Sequence, residues 1–146
     1  MNQLALDLLK KTRIEVLPET FAIISLNNDE WLKLLENPEL SPRMTAPFMI
    51  FKDKWEVTLV LDVVDFGTIK HIVRDAKIER NFRLLSFDVE LDFNVVGFMA
   101  QITKIIAEAG ISILPISSFS RDHILVRQDD LGNVLKALRG FVDEIC

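Results

Sequence analysis

Leu85-Ser86-Phe87-Asp88-Val89-Glu90-Leu91 runs straight into Asp92-Phe93-Asn94-Val95-Val96-Gly97, and the order of elements from 84 to 141 follows from that junction. Leu85, Phe87, Val89 and Leu91 alternate with polar residues, which is the period of a strand with one buried face. Beyond the loop, Val95, Phe98, Met99, Ile102, Ile105, Ile106 and Ala109 recur at helical spacing. They predict one apolar stripe, with Gln101, Lys104 and Glu108 outside it. Gly110 stands where a left-handed cap would end that helix. Residues 111–117 are rich in β-branched side chains and predict a strand, 118–121 a turn, and Asp122–Arg127 the return strand. Asp129 and Asp130 then open a second helix, favourably placed against its dipole, with Leu131, Val134, Leu135, Leu138 and Val142 inward. Strand, helix, strand, strand, helix is the split βαβ plan of a ferredoxin-like sandwich.

The first half follows the same plan less clearly. Phe21–Leu26 predicts a strand after the turn at Leu17-Pro18-Glu19. Asn28 or Asp29 is placed to cap a short helix carrying Trp31, Leu32, Leu34 and Leu35, which Asn37-Pro38 ends. A loop from 41 to 47 leads to strands at 48–51 and 56–61 around Lys52-Asp53-Lys54. Asp65 is then expected to cap a helix with Phe66, Ile69, Ile72, Val73 and Ala76 inward. Each half so far has three strands, whereas a βαββαβ sandwich wants four. Arg13–Val16 and 78–83 are the candidates, and Arg13–Val16 is expected to cross over and close the sheet of the second half. The expected class is α+β: two ferredoxin-like βαββαβ sandwiches with antiparallel sheets, exchanging strands and sharing a core.

With 146 residues, nearly half of them apolar, the chain has enough hydrocarbon for a packed core. The net charge of −5 argues against nucleic acid and anionic membrane surfaces, which call for a Lys/Arg surplus. No apolar run nears the ~18 residues of a membrane span. The start, Met1-Asn2-Gln3-Leu4-Ala5-Leu6-Asp7, lacks the basic flank and apolar stretch of a secretion signal. The single cysteine, Cys146, excludes an internal disulfide, fits a reducing cytoplasm, and reads as a passive thiol on a frayed end. His71 and His123 are not spaced as metal ligands; His71 is expected at the surface and His123 partly buried. No nucleophile elbow, phosphate loop or dinucleotide fingerprint is present, no cofactor is called for, and the serines near His123 read as coincidence. Asp129-Asp130 and Asp143-Glu144 are explained by dipole and solubility.

The run Leu91-Asp92-Phe93-Asn94-Val95-Val96-Gly97, continued by Ala107-Glu108-Ala109-Gly110-Ile111-Ser112-Ile113 and Asp122-His123-Ile124-Leu125-Val126, resembles an ACT domain. More narrowly it is similar to small tandem-ACT proteins of the CASTOR type and to aspartate kinase regulatory domains. Asp122-His123 stands where the family pattern usually has Asp-Tyr. The resemblance covers about the C-terminal 60 residues well and the N-terminal half only by layout. It implies a divergent first unit over 12–80, a second over 82–146, and a non-catalytic module that binds an amino acid or similar small molecule. Such sites often lie between ACT units, so a homodimer or protein partner is also implied.

The candidate ligand site joins Asp92, Phe93, Asn94, Val95, Val96 and Gly97 to the strand residues Ile113, Leu114, Ile116 and Ser117. Gly97 is expected about a turn into a helix capped by Asn94. There it either lets the helix approach the sheet or bares first-turn amides to a carboxylate; in ACT domains the equivalent glycine lines the effector pocket. Asp92 reads as a partner for an ammonium or as a solvated residue at a strand end. Residues 113–117 face the loop if the two strands are neighbours, with Leu114 or Ile116 meeting a ligand side chain. Pro115 marks the same strand as an edge or bulged one, where two units can pair. Two rival functions remain: an ACT-like interaction module with no ligand, and an enzyme using Asp or His residues in an ACT-like cleft.

Overall fold

The structure is a computed structural model that describes residues 3–146; of the N-terminal stretch read above, Met1 and Asn2 lie outside the described residues. In chain order the elements are α1 (Gln3–Lys10), β1 (Arg13–Val16), β2 (Phe21–Leu26), α2 (Asn28–Leu35), β3 (Met49–Lys52), β4 (Val57–Asp62) and α3 (Val63–Ile69). They continue with β5 (Lys77–Asp88), α4 (Phe98–Glu108), β6 (Ile113–Ser117), β7 (Asp122–Arg127), α5 (Leu131–Leu138) and β8 (Glu144–Ile145). Single 3-10 turns at Pro38–Leu40 and Gln128–Asp130 precede β3 and α5. The class is α+β, with mostly antiparallel strands; β1 and β8 pair in parallel. None of the described helices is long and apolar enough to cross a membrane.

The chain divides into two compact units, residues 19–82 and residues 1–18 with 83–146. In 19–82 the strand order is β3-β4-β2-β5, which is the ferredoxin-like order, with residues 77–82 of β5 as the last strand. Ala22, Ile24, Leu26, Val57, Leu59 and Leu61 put alternate side chains into one core with Phe66, Ile69 and Val73. Two helix starts are set one to three residues earlier than the sequence suggested. Asn27, not Asn28 or Asp29, caps α2. Its side chain accepts from the Glu30 amide at 2.8 Å, while Glu30 Oε1 accepts from the Asn27 amide at 3.2 Å, forming a closed capping box. Asp62, not Asp65, caps α3 by accepting from the Asp65 amide at 2.8 Å. The guanidinium of Arg43 bonds both carboxylates at 2.8 Å, which is why two aspartates can lie nearly buried at one helix start.

In the other unit the order is β6-β7-β5-β1, extended by β8. The missing fourth strand is the expected one: Arg13–Val16 pairs antiparallel with 85–88 of β5, Ile14 opposite Phe87. Leu9, Ile14, Leu85, Phe87, Phe98, Ile102, Ile106, Ile124, Val126, Val134 and Leu138 form the core, with the Phe87 and Phe98 rings edge to face at 6.1 Å. Each unit thus has a buried cluster of its own. Cys146 is not frayed: its amide donates to the Ile14 carbonyl at 2.8 Å and its carbonyl accepts from Val16 at 2.9 Å. Of Asp143-Glu144, Glu144 lies in β8 beside Arg13, and the Asp143 amide just before it donates to the Thr12 carbonyl at 2.9 Å.

Candidate functional site

The junction of β5 and α4 is built by side chains that stop the helix from starting early. Asp92 Oδ1 accepts from the Asn94 amide at 2.9 Å, and the Val95 amide donates to the Asp92 carbonyl at 2.9 Å. This local turn competes with helix and leaves 92–97 as loop. Gly97 then takes φ +85°, a left-handed conformation that an L side chain adopts only with strain, and acts as the N-cap of α4. So Gly97 is not inside a helix capped by Asn94. It precedes the helix, and the reason for glycine is its backbone. The consequence is chemical as well: the start of α4 carries no side-chain cap. The amides of its first turn stand at the positive end of the dipole, and residue 97 has no side chain with which to cap them.

Around this corner Asp92, Phe93, Asn94 and Val96 are exposed, while Val95 and Gly97 are half-buried. The second group, Ile113, Leu114, Ile116 and Ser117, lies on β6, which is not the neighbour of β5. β7 stands between them, with Ile113 opposite Val126 and Ser117 opposite Asp122. The condition that the two strands be neighbours is therefore not met. Ser117 nevertheless ends β6 at the same end of the sheet as the corner. The Leu91 amide donates to the Ser120 carbonyl at 2.7 Å, and Arg121 Nε donates to Asp88 Oδ1 at 3.0 Å, tying the 118–121 turn to the end of β5. Pro115 sits on β6 opposite Ile124, with solvent exposure consistent with an edge.

Two polar groups beside the corner were given no role in the sequence reading, which took the serines near a partly buried His123 as coincidence. His123 bridges two serines, with Ser86 Oγ 2.8 Å from Nδ1 and Ser118 Oγ 3.1 Å from Nε2. Burial pushes its pKa down; Asp122 opposes that effect and Arg121 adds to it. Ser118 and His123 flank one turn, so that pair was within reach of sequence reasoning; Ser86, on another strand, was not. The second group is Asp88 between Arg121 and Arg13, the latter at 3.8 Å. Two aromatic side chains are fully in solvent: Phe93 at 99% and Phe119 at 106% relative exposure. Among the described residues no three His, Cys, Asp or Glu side chains gather to hold a metal ion.

The sequence pattern of the ACT domain matches residues 77–140. No curated protein sequence matches the chain. Among solved structures, a Vibrio cholerae protein of unknown function, described as a possible transport protein, is 26% identical with a TM-score of 0.68, over 94% of each chain. The aspartokinase alpha and beta subunits give a TM-score of 0.69 at 14% identity, over 90% of this chain and 97% of theirs. The ligand-free regulatory subunit of aspartate kinase from Thermus thermophilus gives 0.63 at 10% identity, over 89% and 96%. Residues 77–140 thus carry the ACT-domain pattern, on a fold shared with the regulatory subunit of aspartate kinase.

Proposed function

We propose that the chain is a non-catalytic regulatory protein that binds a small amino acid at the corner between β5 and α4. The observation that carries this reading is the left-handed Gly97, which begins α4 without a side-chain cap. A carboxylate suits those amides and the positive end of the helix dipole. Asp92, exposed at the start of the same loop, supplies a counter-charge for the ammonium. Charge-assisted bonds at both ends of a zwitterion give such a site its affinity. Ile113, Leu114, Ile116 and Ser117 provide the other wall from a second copy of the chain, a role open to β6 as an edge strand. Ligand binding then favours one assembly by its differential affinity for that assembly. The tandem arrangement of ACT-like units, 12–80 and 82–146, with Arg13–Val16 lent to the second, belongs to the same proposal, as does a cytoplasmic setting.

Thermal unfolding with a panel of amino acids tests the reading, because a ligand of the folded state raises Tm by mass action. One or a few amino acids are expected to raise Tm, and Asp92→Asn and Gly97→Ala to abolish the rise. A panel without effect overturns it and leaves a second reading, a protein-interaction module, favoured by Phe93 and Phe119 standing bare in solvent.

A further inference from the structure

A separate feature lies within residues 19–82, and it begins with a defect in a strand pair. β2 and β5 lose register between Phe21 and Ile23: Phe21 faces Phe82 and Ile23 faces Glu79, so Arg80 and Asn81 stand opposite the single Ala22. This is a β-bulge, and Asn81 absorbs it at φ +66°, the one positive φ among the described residues other than glycine. Bulges re-aim side chains, and this one turns the Arg80 guanidinium over the ring of Phe66 on α3, 4.9 Å from its centroid. Phe66 is nearly buried, so the guanidinium is held over a fixed ring with its N–H donors left to meet oxygen atoms.

Beside that stack is a cavity of about 260 Å³, lined by Arg80, Asn81 and Lys70 at its polar side and by Phe21, Val63 and Phe66 at its apolar side. Gly67 also lines it, and a Cβ built there would meet nothing within 4 Å, so the space continues to the helix backbone. Neither Lys70 nor Arg80 has a carboxylate partner among the described residues, although the chain carries a net charge of −5. A strained Asn, a stacked guanidinium, an unpaired ammonium and open space over a glycine all converge on one cleft. A purely structural role for Arg80 and Lys70 explains none of the open volume.

We propose that this cleft binds a small metabolite carrying an oxyanion, a carboxylate or a phosphate, on a short apolar body. The guanidinium edge and Lys70 take the oxyanion, and the Phe21–Val63–Phe66 side takes the apolar part. The site is independent of the β5–α4 corner, and either can fail without the other.

The test follows the backbone amides of Gly67 and Asn81 by NMR in the full chain, titrated with inorganic phosphate and with succinate at constant ionic strength. Saturable shifts at both amides are expected. They should weaken at least tenfold in Arg80→Glu, which reverses the charge, and in Gly67→Leu, which fills the open space and leaves both cations in place. Tighter phosphate binding identifies a phosphate-bearing ligand, and tighter succinate binding a carboxylate. Absence of saturable shifts with both probes, or shifts that persist in Arg80→Glu and Gly67→Leu proteins that remain folded, overturns the proposal.

Discussion

Each unit contains a strand that leads into a helix, β2 into α2 and β5 into α4, yet the two finish that corner in opposite ways. In 19–82 the start of α2 is closed by its own side chains, Asn27 and Glu30 satisfying each other's amides at 2.8 and 3.2 Å. In the unit containing 83–146 the start of α4 has Gly97 at φ +85° and no side-chain cap. At the first corner the Glu30 carboxylate closes back on the cap residue itself; at the second the Asp92 carboxylate bonds within the loop, to the Asn94 amide, and the helix start has no side-chain cap. The same fold thus supplies a self-capped corner and an open one, and the difference is written in two local sequences, Asn27-Asn28-Asp29-Glu30 against Asn94-Val95-Val96-Gly97. That contrast is the physical basis for placing a ligand at the second corner.

The largest effect tests whether the second unit depends on its borrowed strand. Ile14 is fully buried in β1 opposite Phe87, and Ile14→Ala removes core hydrocarbon that β1 alone provides. Truncations of this kind cost about 2–5 kcal/mol. Denaturant unfolding is expected to show a loss in that range. Hydrogen exchange should rise first in β1, the 83–88 part of β5 and β7. Equal loosening of β3 and β4 would show that the strand exchange does not define the unit.

The corners themselves are compared by paired substitutions. Gly97→Ala forces an L side chain into the left-handed region, at a cost of roughly 1–2 kcal/mol, and is expected to abolish any Tm rise given by an amino acid. Asn27→Ala removes the cap of α2, a loss of about 1 kcal/mol, and is expected to leave that Tm rise intact. If the two variants affect ligand response alike, the contrast between open and self-capped corners is wrong. A smaller change sharpens the account of the other cleft. Gly67 lies within α3 with open space around its missing Cβ, so Gly67→Ala is expected to raise stability by about 0.5–1 kcal/mol in thermal unfolding.

Much of this was legible in the residues. Phe21–Leu26 and Asp122–Arg127 are strands over the ranges their composition indicates, because both combine β-branched, apolar residues with clear boundaries. The crossover of Arg13–Val16 followed from the need for a fourth strand. The helix starts were harder. At 27–30 and 62–65 several Asn and Asp residues stand within one turn, and which one caps depends on tertiary partners such as Arg43. At 92–97 helical spacing of Val95 with Phe98 and Met99 pointed to an early start, and the Asp92 turn with left-handed Gly97 overrode it. The position of β7 between β5 and β6 follows from the split βαβ plan itself, and the condition that β5 and β6 be neighbours overlooked it. The short α1 was also not assigned, although Ala5 and Leu9 are buried one helical turn apart.

The smallest predicted effect separates the units by their histidines. His71 is exposed in 19–82, whereas His123 is half-buried between Ser86 and Ser118 in the other unit. A neutral imidazole can accept from one serine and donate to the other, but an imidazolium is a donor at both nitrogens and must turn one hydroxyl around. Burial adds to that cost and holds the folded pKa below the ordinary value of 6.5. The folded chain then binds fewer protons at this site than the unfolded chain, so stability falls as pH drops below about 6.5, down through the folded pKa. Above 6.5 both states are neutral there and the site contributes no slope. Denaturant midpoints measured between pH 8 and pH 5 should decline in the lower part of that range, with the shallower profile in His123→Gln marking this residue's share. A wild-type profile no steeper than that of His123→Gln would mean that the two serines accommodate the charged ring, and that the corner beside β7 is wetter than its packing indicates.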